Sequence, residues 1–297
     1  MKKKLALITI ILAAAVTFTG CTLPGSASKK ELSYREQAID LMEAGKYDLA
    51  VEMFDLALNQ TYGLMTKTDL DICYYKALAQ YKDGNTVDAI NTYDSIIEVK
   101  KKDWRAYYLR GTLYLEKSDY DDARSDYESC LKYNGSDGSM LIHIGANLDD
   151  AGYSDDALTY YNEVISNGGK ETEDMRNIGW AYYKTGDSDN AMQYLQQAAD
   201  AGDGEAIYYL AEINMDKGEY SEALGLIEQG LSTTADSEET PEVTIDESSR
   251  QQLMFAKVIC YEYMGEWDNA KTAISDYVTA YPEDEDGQRE NTFLENR

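Results

Sequence analysis

Residues 103–133, DWRAYYLRGTLYLEKSDYDDARSDYESCLKY, decide the fold. They read as two short helices joined by a tight turn. Gly111 sits mid-way along the first helix, and Ala123 follows twelve residues later, where the second helix has to come close. Tyr107, Tyr114, Tyr120 and Tyr127 fill the space around that contact. A single hairpin of this kind cannot bury its apolar face alone, so it predicts neighbours of the same kind.

Those neighbours are present. With the small residue of each second helix as an anchor, the series is Ala50, Ala89, Ala123, Ala157, Ala191, Ala223 and Ala270. Twelve residues before each anchor stand Ala38, Ala77, Gly111, Gly145, Gly179, Ala211 and Val258, all small except the last. Five before each stand Gly45, Gly84, Ser118, Gly152, Gly186, Gly218 and Gly265, where the chain must leave one helix and turn into the next. Four after each stand Phe54, Tyr93, Tyr127, Tyr161, Leu195, Ile227 and Ile274, all large. Three columns sharing one register define an internal repeat. The second copy carries Gln80 where an aromatic is usual.

This pattern resembles the tetratricopeptide repeat family over about residues 31–283. The resemblance implies an all-α fold, a right-handed α-solenoid of about seven stacked helical hairpins. Pro282 stands where that family often ends a second helix. Residues 191–224 also resemble the related Sel1-like repeat, through Ala198, Ala199, Gly202, Ala206, Leu210 and Ala211. The longest interval spans residues 232–249, an acidic, hydroxyl-rich stretch with Pro241, which reads as a protruding loop. Residues 284–297 read as a mostly polar tail in which Phe293 and Leu294 are available to cap the last helix.

The N-terminus has a separate logic. Lys2, Lys3 and Lys4 precede an apolar run from Leu5 to Phe18, too short to span a bilayer comfortably and suited to the core of a signal peptide. The run ends at Phe18-Thr19-Gly20-Cys21, which resembles a bacterial lipoprotein signal. That resemblance implies a signal peptide over residues 1–20, cleavage before Cys21, and lipid on its sulfur. Residues 21–30 then form the lipidated Cys and a flexible tether, and the array lies outside the cytoplasm, anchored to the cell membrane.

Composition narrows the function. Twenty-seven basic against 55 acidic residues give a net charge of −28, which argues against nucleic acid as a partner, because phosphate binding needs clustered Lys and Arg. The lysine-rich turn at Lys100, Lys101, Lys102 and Arg105 reads as a solvated loop. Cys73, Cys130 and Cys260 are widely spaced within helical patterns and read as buried thiols. With His143 the only histidine, neither a metal site nor a cofactor is expected. No nucleotide-binding glycine loop or nucleophile elbow appears, and acid pairs such as Asp149 and Asp150 read as solvated turns. The expectation is a non-enzymatic protein.

In the tetratricopeptide family the first helices line the concave face. Residues beside the packing columns there are Tyr74, Tyr75, Tyr81, Tyr108, Ile142, His143, Arg176, Asn177, Trp180, Tyr183, Lys184, Tyr208, Tyr209, Phe255 and Tyr263. Such amphipathic rings suit peptide recognition. Arg176, Asn177 and Lys184 partly match a family clamp for a peptide C-terminus, but His143 and Tyr209 replace its other positions. The reading is therefore an envelope scaffold that binds a protein or peptide. The alternatives are an assembly factor working through its ends or acidic convex face, and, more remotely, a wall-modifying enzyme.

Overall fold

The computed structural model describes residues 28–61, 65–232 and 245–297. The expected signal peptide over residues 1–20, Cys21 and most of the expected tether lie outside them. Among the described residues there are fifteen α-helices and no strand. They pair in chain order as hairpins: α1 (Lys29–Glu43) with α2 (Tyr47–Leu58), α3 (Lys67–Lys82) with α4 (Thr86–Val99), and α5 (Trp104–Glu116) with α6 (Tyr120–Asn134). Next come α7 (Gly138–Asp150) and α8 (Ser154–Asn167), α9 (Thr172–Lys184) and α10 (Ser188–Asp200), α11 (Gly204–Asp216) and α12 (Tyr220–Ser232), and α13 (Glu247–Met264) and α14 (Trp267–Ala280). A last helix, α15 (Glu285–Glu295), packs on α14. Alternate helices also touch, α1 with α3, α9 with α11 and α11 with α13, as first helices of successive hairpins do.

The chain divides into two compact units. One runs through Met140 and includes Ala146–Ser154; the other comprises Leu141–Gly145 and Asp155–Arg297. In both, the packing columns have a simple steric cause. A Cβ on Gly111 would lie 3.1 Å from the Tyr127 ring, one on Gly145 2.6 Å from the Tyr161 ring, and one on Gly179 2.7 Å from Leu195. The missing Cβ at one column is the space filled by the large side chain at the other. Tyr127, Tyr161 and Leu195 are accordingly buried, as are the anchor alanines. Val258, the bulky exception, is also fully buried, in a core with Ala270, Ile274 and Tyr277. Gln80, the other irregular position, is buried and accepts a hydrogen bond from Thr92 at 2.7 Å.

Each hairpin turn passes through a left-handed residue. Gly186, with φ 90°, lets Asp187 N–H reach back to the Tyr182 carbonyl at 2.8 Å. Ser118 makes the same turn at φ 65° with a side chain present. The left-handed conformation costs an L-residue roughly 1–2 kcal/mol. Ser118→Gly is therefore expected to stabilise the fold by about 0.5–1 kcal/mol, after the entropy glycine adds to the unfolded chain. A higher urea midpoint at unchanged denaturant slope would show it.

Two segments differ from the sequence expectation. The second half of the stretch assigned to the acidic loop is shorter than predicted, because α13 already starts at Glu247, where the Asp246 carboxylate accepts from Ser249 N–H at 2.7 Å. Residues 233–244 lie outside the described residues. The polar tail is helical as α15: Leu294 is buried while Phe293 stays half exposed. Cys73, Cys130 and Cys260 are free and buried, and burial pushes the Cys73 and Cys260 thiols up to about 11.

The α13–α15 contact contains a carboxyl pair. Glu262 shares a hydrogen bond with Glu290, near Arg297, whose guanidinium lies 3.5 Å from the Trp267 ring centre. Burial first, then Glu290, raises the Glu262 carboxyl from 4.5 to about 7. A folded value above the unfolded one means the pair contributes stability that is full below about pH 4.5 and is lost as pH rises through about 7. Glu262→Gln is expected to remove that loss, so that the protection of the α15 amides, relative to the base-catalysed exchange of an unfolded chain, no longer falls between about pH 5 and 8.

Candidate functional site

The expected groove residues do not all lie on one surface. Tyr108 is a core residue, only 3% exposed. Its hydroxyl accepts from Asn147 Nδ2 at 3.1 Å, and the same amide donates to Thr112 Oγ1 at 3.2 Å and Tyr127 Oη at 3.2 Å. That buried polar cluster turns Tyr108 inward, which corrects its assignment to the groove. Asn177 and Ile142 are buried as well, and His143 is half-buried. In the first compact unit, Tyr74 donates to Asp103 at 2.8 Å and Tyr75 lies stacked on Phe54 beneath Arg35. Phe255 packs against Tyr277, and Tyr263 is 69% exposed, stacked on Tyr220 at 4.8 Å.

The second compact unit brings one group together. Trp180 and Tyr183 on α9 meet Tyr208 and Tyr209 on α11. Trp180 stacks on Tyr209 with ring centres 4.1 Å apart and 18° between planes. Tyr183 lies 5.2 Å from Trp180, and Tyr208 5.6 Å from Tyr209. Trp180 is buried as the floor, while Tyr183, Tyr208 and Tyr209 are half-buried and form the accessible rings. Lys184 Nζ stands 5.1 Å from the Trp180 ring centre, a cation–π geometry.

Sequence reading missed the carboxylates of this group. Tyr209 donates to Glu205 at 2.6 Å, Tyr208 to Glu212, and Tyr183 to Asp216. Glu205, Tyr208 or Tyr209, Glu212 and Asp216 recur every three to four residues along α11 and so share a face. That spacing was the available signal. Burial first, then the adjacent carboxylates, pushes the Tyr183, Tyr208 and Tyr209 hydroxyls upward, so each stays a proton donor. Tyr81 repeats the arrangement in the first compact unit. It occupies the position of Tyr183 in its own hairpin and hydrogen-bonds Glu116 on the next first helix.

Arg176 cannot serve as a free clamp. Its Nη1 donates to Asp203 at 2.7 Å, its Nε lies 3.2 Å from Glu205, and Glu173 is 3.7 Å away. Burial lowers its pKa, but the Glu205 and Asp203 charges outweigh that and raise it. Its fork is thus engaged by carboxylates of the chain itself. Among the described residues no group of His, Cys, Asp and Glu is placed to hold a metal ion, and no helix is long and apolar enough to cross a membrane.

Family models described as tetratricopeptide repeat match residues 74–138, 144–206, 182–240 and 252–284, together more than half of the chain. The chain belongs to the tetratricopeptide repeat family. A crystal structure of a tetratricopeptide repeat protein from Parabacteroides merdae is similar over 90% of this chain and 99% of that one, with 14% identity and a TM-score of 0.57. MamA from Desulfovibrio magneticus is similar over 59% of this chain and 96% of its own, with 15% identity and a TM-score of 0.41. No curated protein matches the chain. The α1–α2 hairpin precedes every matched segment, yet it has the tetratricopeptide packing, with Ala38, Ala50 and Phe54 fully buried. Tetratricopeptide repeats generally serve as scaffolds for protein–protein interaction rather than as enzymes.

Proposed function

We propose that this protein is a lipid-anchored, extracytoplasmic scaffold that captures a polypeptide on the aromatic surface of α9 and α11. The observation that carries the reading is the ring group Trp180, Tyr183, Tyr208 and Tyr209, held in place by stacking and by phenol–carboxylate hydrogen bonds. Rings fixed before binding lose little entropy when a partner docks. The leader and Cys21 support the anchoring part of the reading.

Two measurements test it. A photo-crosslinking residue in place of Tyr183 or Tyr208 is expected to yield a discrete polypeptide adduct in the native envelope, whereas one at exposed Val87 on α4 yields none. Equal labelling at all three positions, or none, would remove the surface as the capture site. Cys21→Ala is expected to release the protein from the membrane fraction or leave it unprocessed. Normal processing with normal membrane retention would overturn the anchor.

A further inference from the structure

We infer that the α9–α11 surface reads basic side chains, taking an extended peptide segment that carries Arg or Lys. The inference rests on the proposed capture of a polypeptide at this surface and adds the chemistry of what is captured. Its first support is the pairing of ring faces with carboxylates. Tyr183, Tyr208 and Tyr209 are half-buried rings, and each hydroxyl is spent on a carboxylate of α11. Asp216, which is exposed, keeps acceptor sites beyond its bond from Tyr183, because an ionised carboxyl has about four. Ring face and carboxylate together are what a guanidinium or ammonium prefers.

The second support is that the chain already places its own cations this way. Lys184 lies on the Trp180 ring, and Arg176 bonds to Asp203 and Glu205. Neither exhausts the surface. Asp216 is exposed, accepts from Tyr183, and makes no ion pair among the described residues. The third support is charge complementarity. Glu173, Asp203, Glu205, Glu212 and Asp216 outnumber Arg176 and Lys184 here, in a chain of net charge −28, so an acidic segment is repelled and a basic one steered in. From Glu205 to Asp216 the helix rises about 16 Å, which an extended peptide spans in about five residues.

The probe is a fluorescently labelled pentapeptide of alternating Arg and Thr, compared with the same peptide carrying Glu or citrulline in place of Arg, by anisotropy on the folded array. The Arg peptide is expected to bind at least about tenfold more tightly than either. Glu212→Gln with Asp216→Asn is expected to weaken it about tenfold, whereas removing the same charge at Asp121 and Asp122 on α6 leaves it unchanged. Tyr183→Phe is expected to weaken the Arg peptide without altering helicity, since it frees the Asp216 carboxylate to reorient. Equal binding of the Arg and citrulline peptides, or equal loss with the α6 pair, would overturn the inference. A crosslinked adduct at Tyr183 alongside such a result leaves the capture surface standing without its basic preference; no adduct at Tyr183 removes the surface itself.

Discussion

Arg110→Ala is expected to destabilise the protein by about 3–5 kcal/mol, the cost of leaving a buried charge without its partner. Arg110 on α5 grips Asp126 on α6 with two parallel hydrogen bonds, Nε to Oδ2 at 2.8 Å and Nη2 to Oδ1 at 2.6 Å, and its third nitrogen reaches Asp94 on α4. The Tyr107 and Tyr114 rings flank the guanidinium at 5.7 Å. The Asp126 side chain is 5% exposed, so without Arg110 it has neither water nor a counterion. The loss has a definite pH dependence. Burial raises the Asp126 pKa and Arg110 opposes that rise. Removing Arg110 lets the folded value climb further above the unfolded one, so the variant is least impaired in acid and loses stability as pH rises. Urea unfolding at pH 4 and pH 7, monitored by circular dichroism, reads this directly. Arg110→Leu combined with Asp126→Leu is expected to recover most of the loss, because the penalty lies in the orphaned charge rather than in the missing pair.

Gly179→Val is expected to cost about 3 kcal/mol, at the upper end of overpacking penalties. Its Cβ would fall 2.7 Å from Leu195 Cγ and 3.0 Å from Leu195 backbone nitrogen. The side chain can rotate away; the backbone of α10 cannot, so the hairpin must open. Leu195→Ala in the same chain is therefore expected to relieve only part of the cost, and the double-mutant cycle reads the coupling between the two sites. Gly225→Ala on α12 provides the contrast. Nothing lies within 4 Å of a Cβ there, and alanine is expected to stabilise by about 0.5–1 kcal/mol through helix propensity alone. Opposite signs for two helical glycines would show that packing, not backbone freedom, fixes Gly179.

The acid surface of α11 is legible in the sequence only in outline. Glu205, Glu212 and Asp216 fall on the face of Tyr208 and Tyr209 by spacing alone. In a chain this acidic, however, the spacing does not separate a ligand-facing acid from a solubilising one. The phenol donors do, and they come from a different helix in the case of Tyr183 and Asp216. Arg110 likewise needs Asp94 and Asp126, which sit sixteen residues away on either side.

The order of the hairpins, the close helix contacts at Gly111, Gly145 and Gly179, and the left-handed turns were determined by the sequence alone. Each is a local steric demand met at one spacing: a missing Cβ where two helices touch, or a glycine, replaced by Ser118 in one hairpin, where φ is positive. Which aromatic ring faces outward was decided only by tertiary structure. Tyr107 and Tyr108 are neighbours about 100° apart on one helix, and periodicity alone does not rank them. Asn147, thirty-nine residues further on, draws Tyr108 inward because its amide and the buried hydroxyls need each other's hydrogen bonds. Trp180 is likewise made a floor by Tyr209 on the next first helix. Helix pairing follows from local pattern; the exposed face of each helix depends on partners from distant hairpins, and it is those faces that a ligand meets.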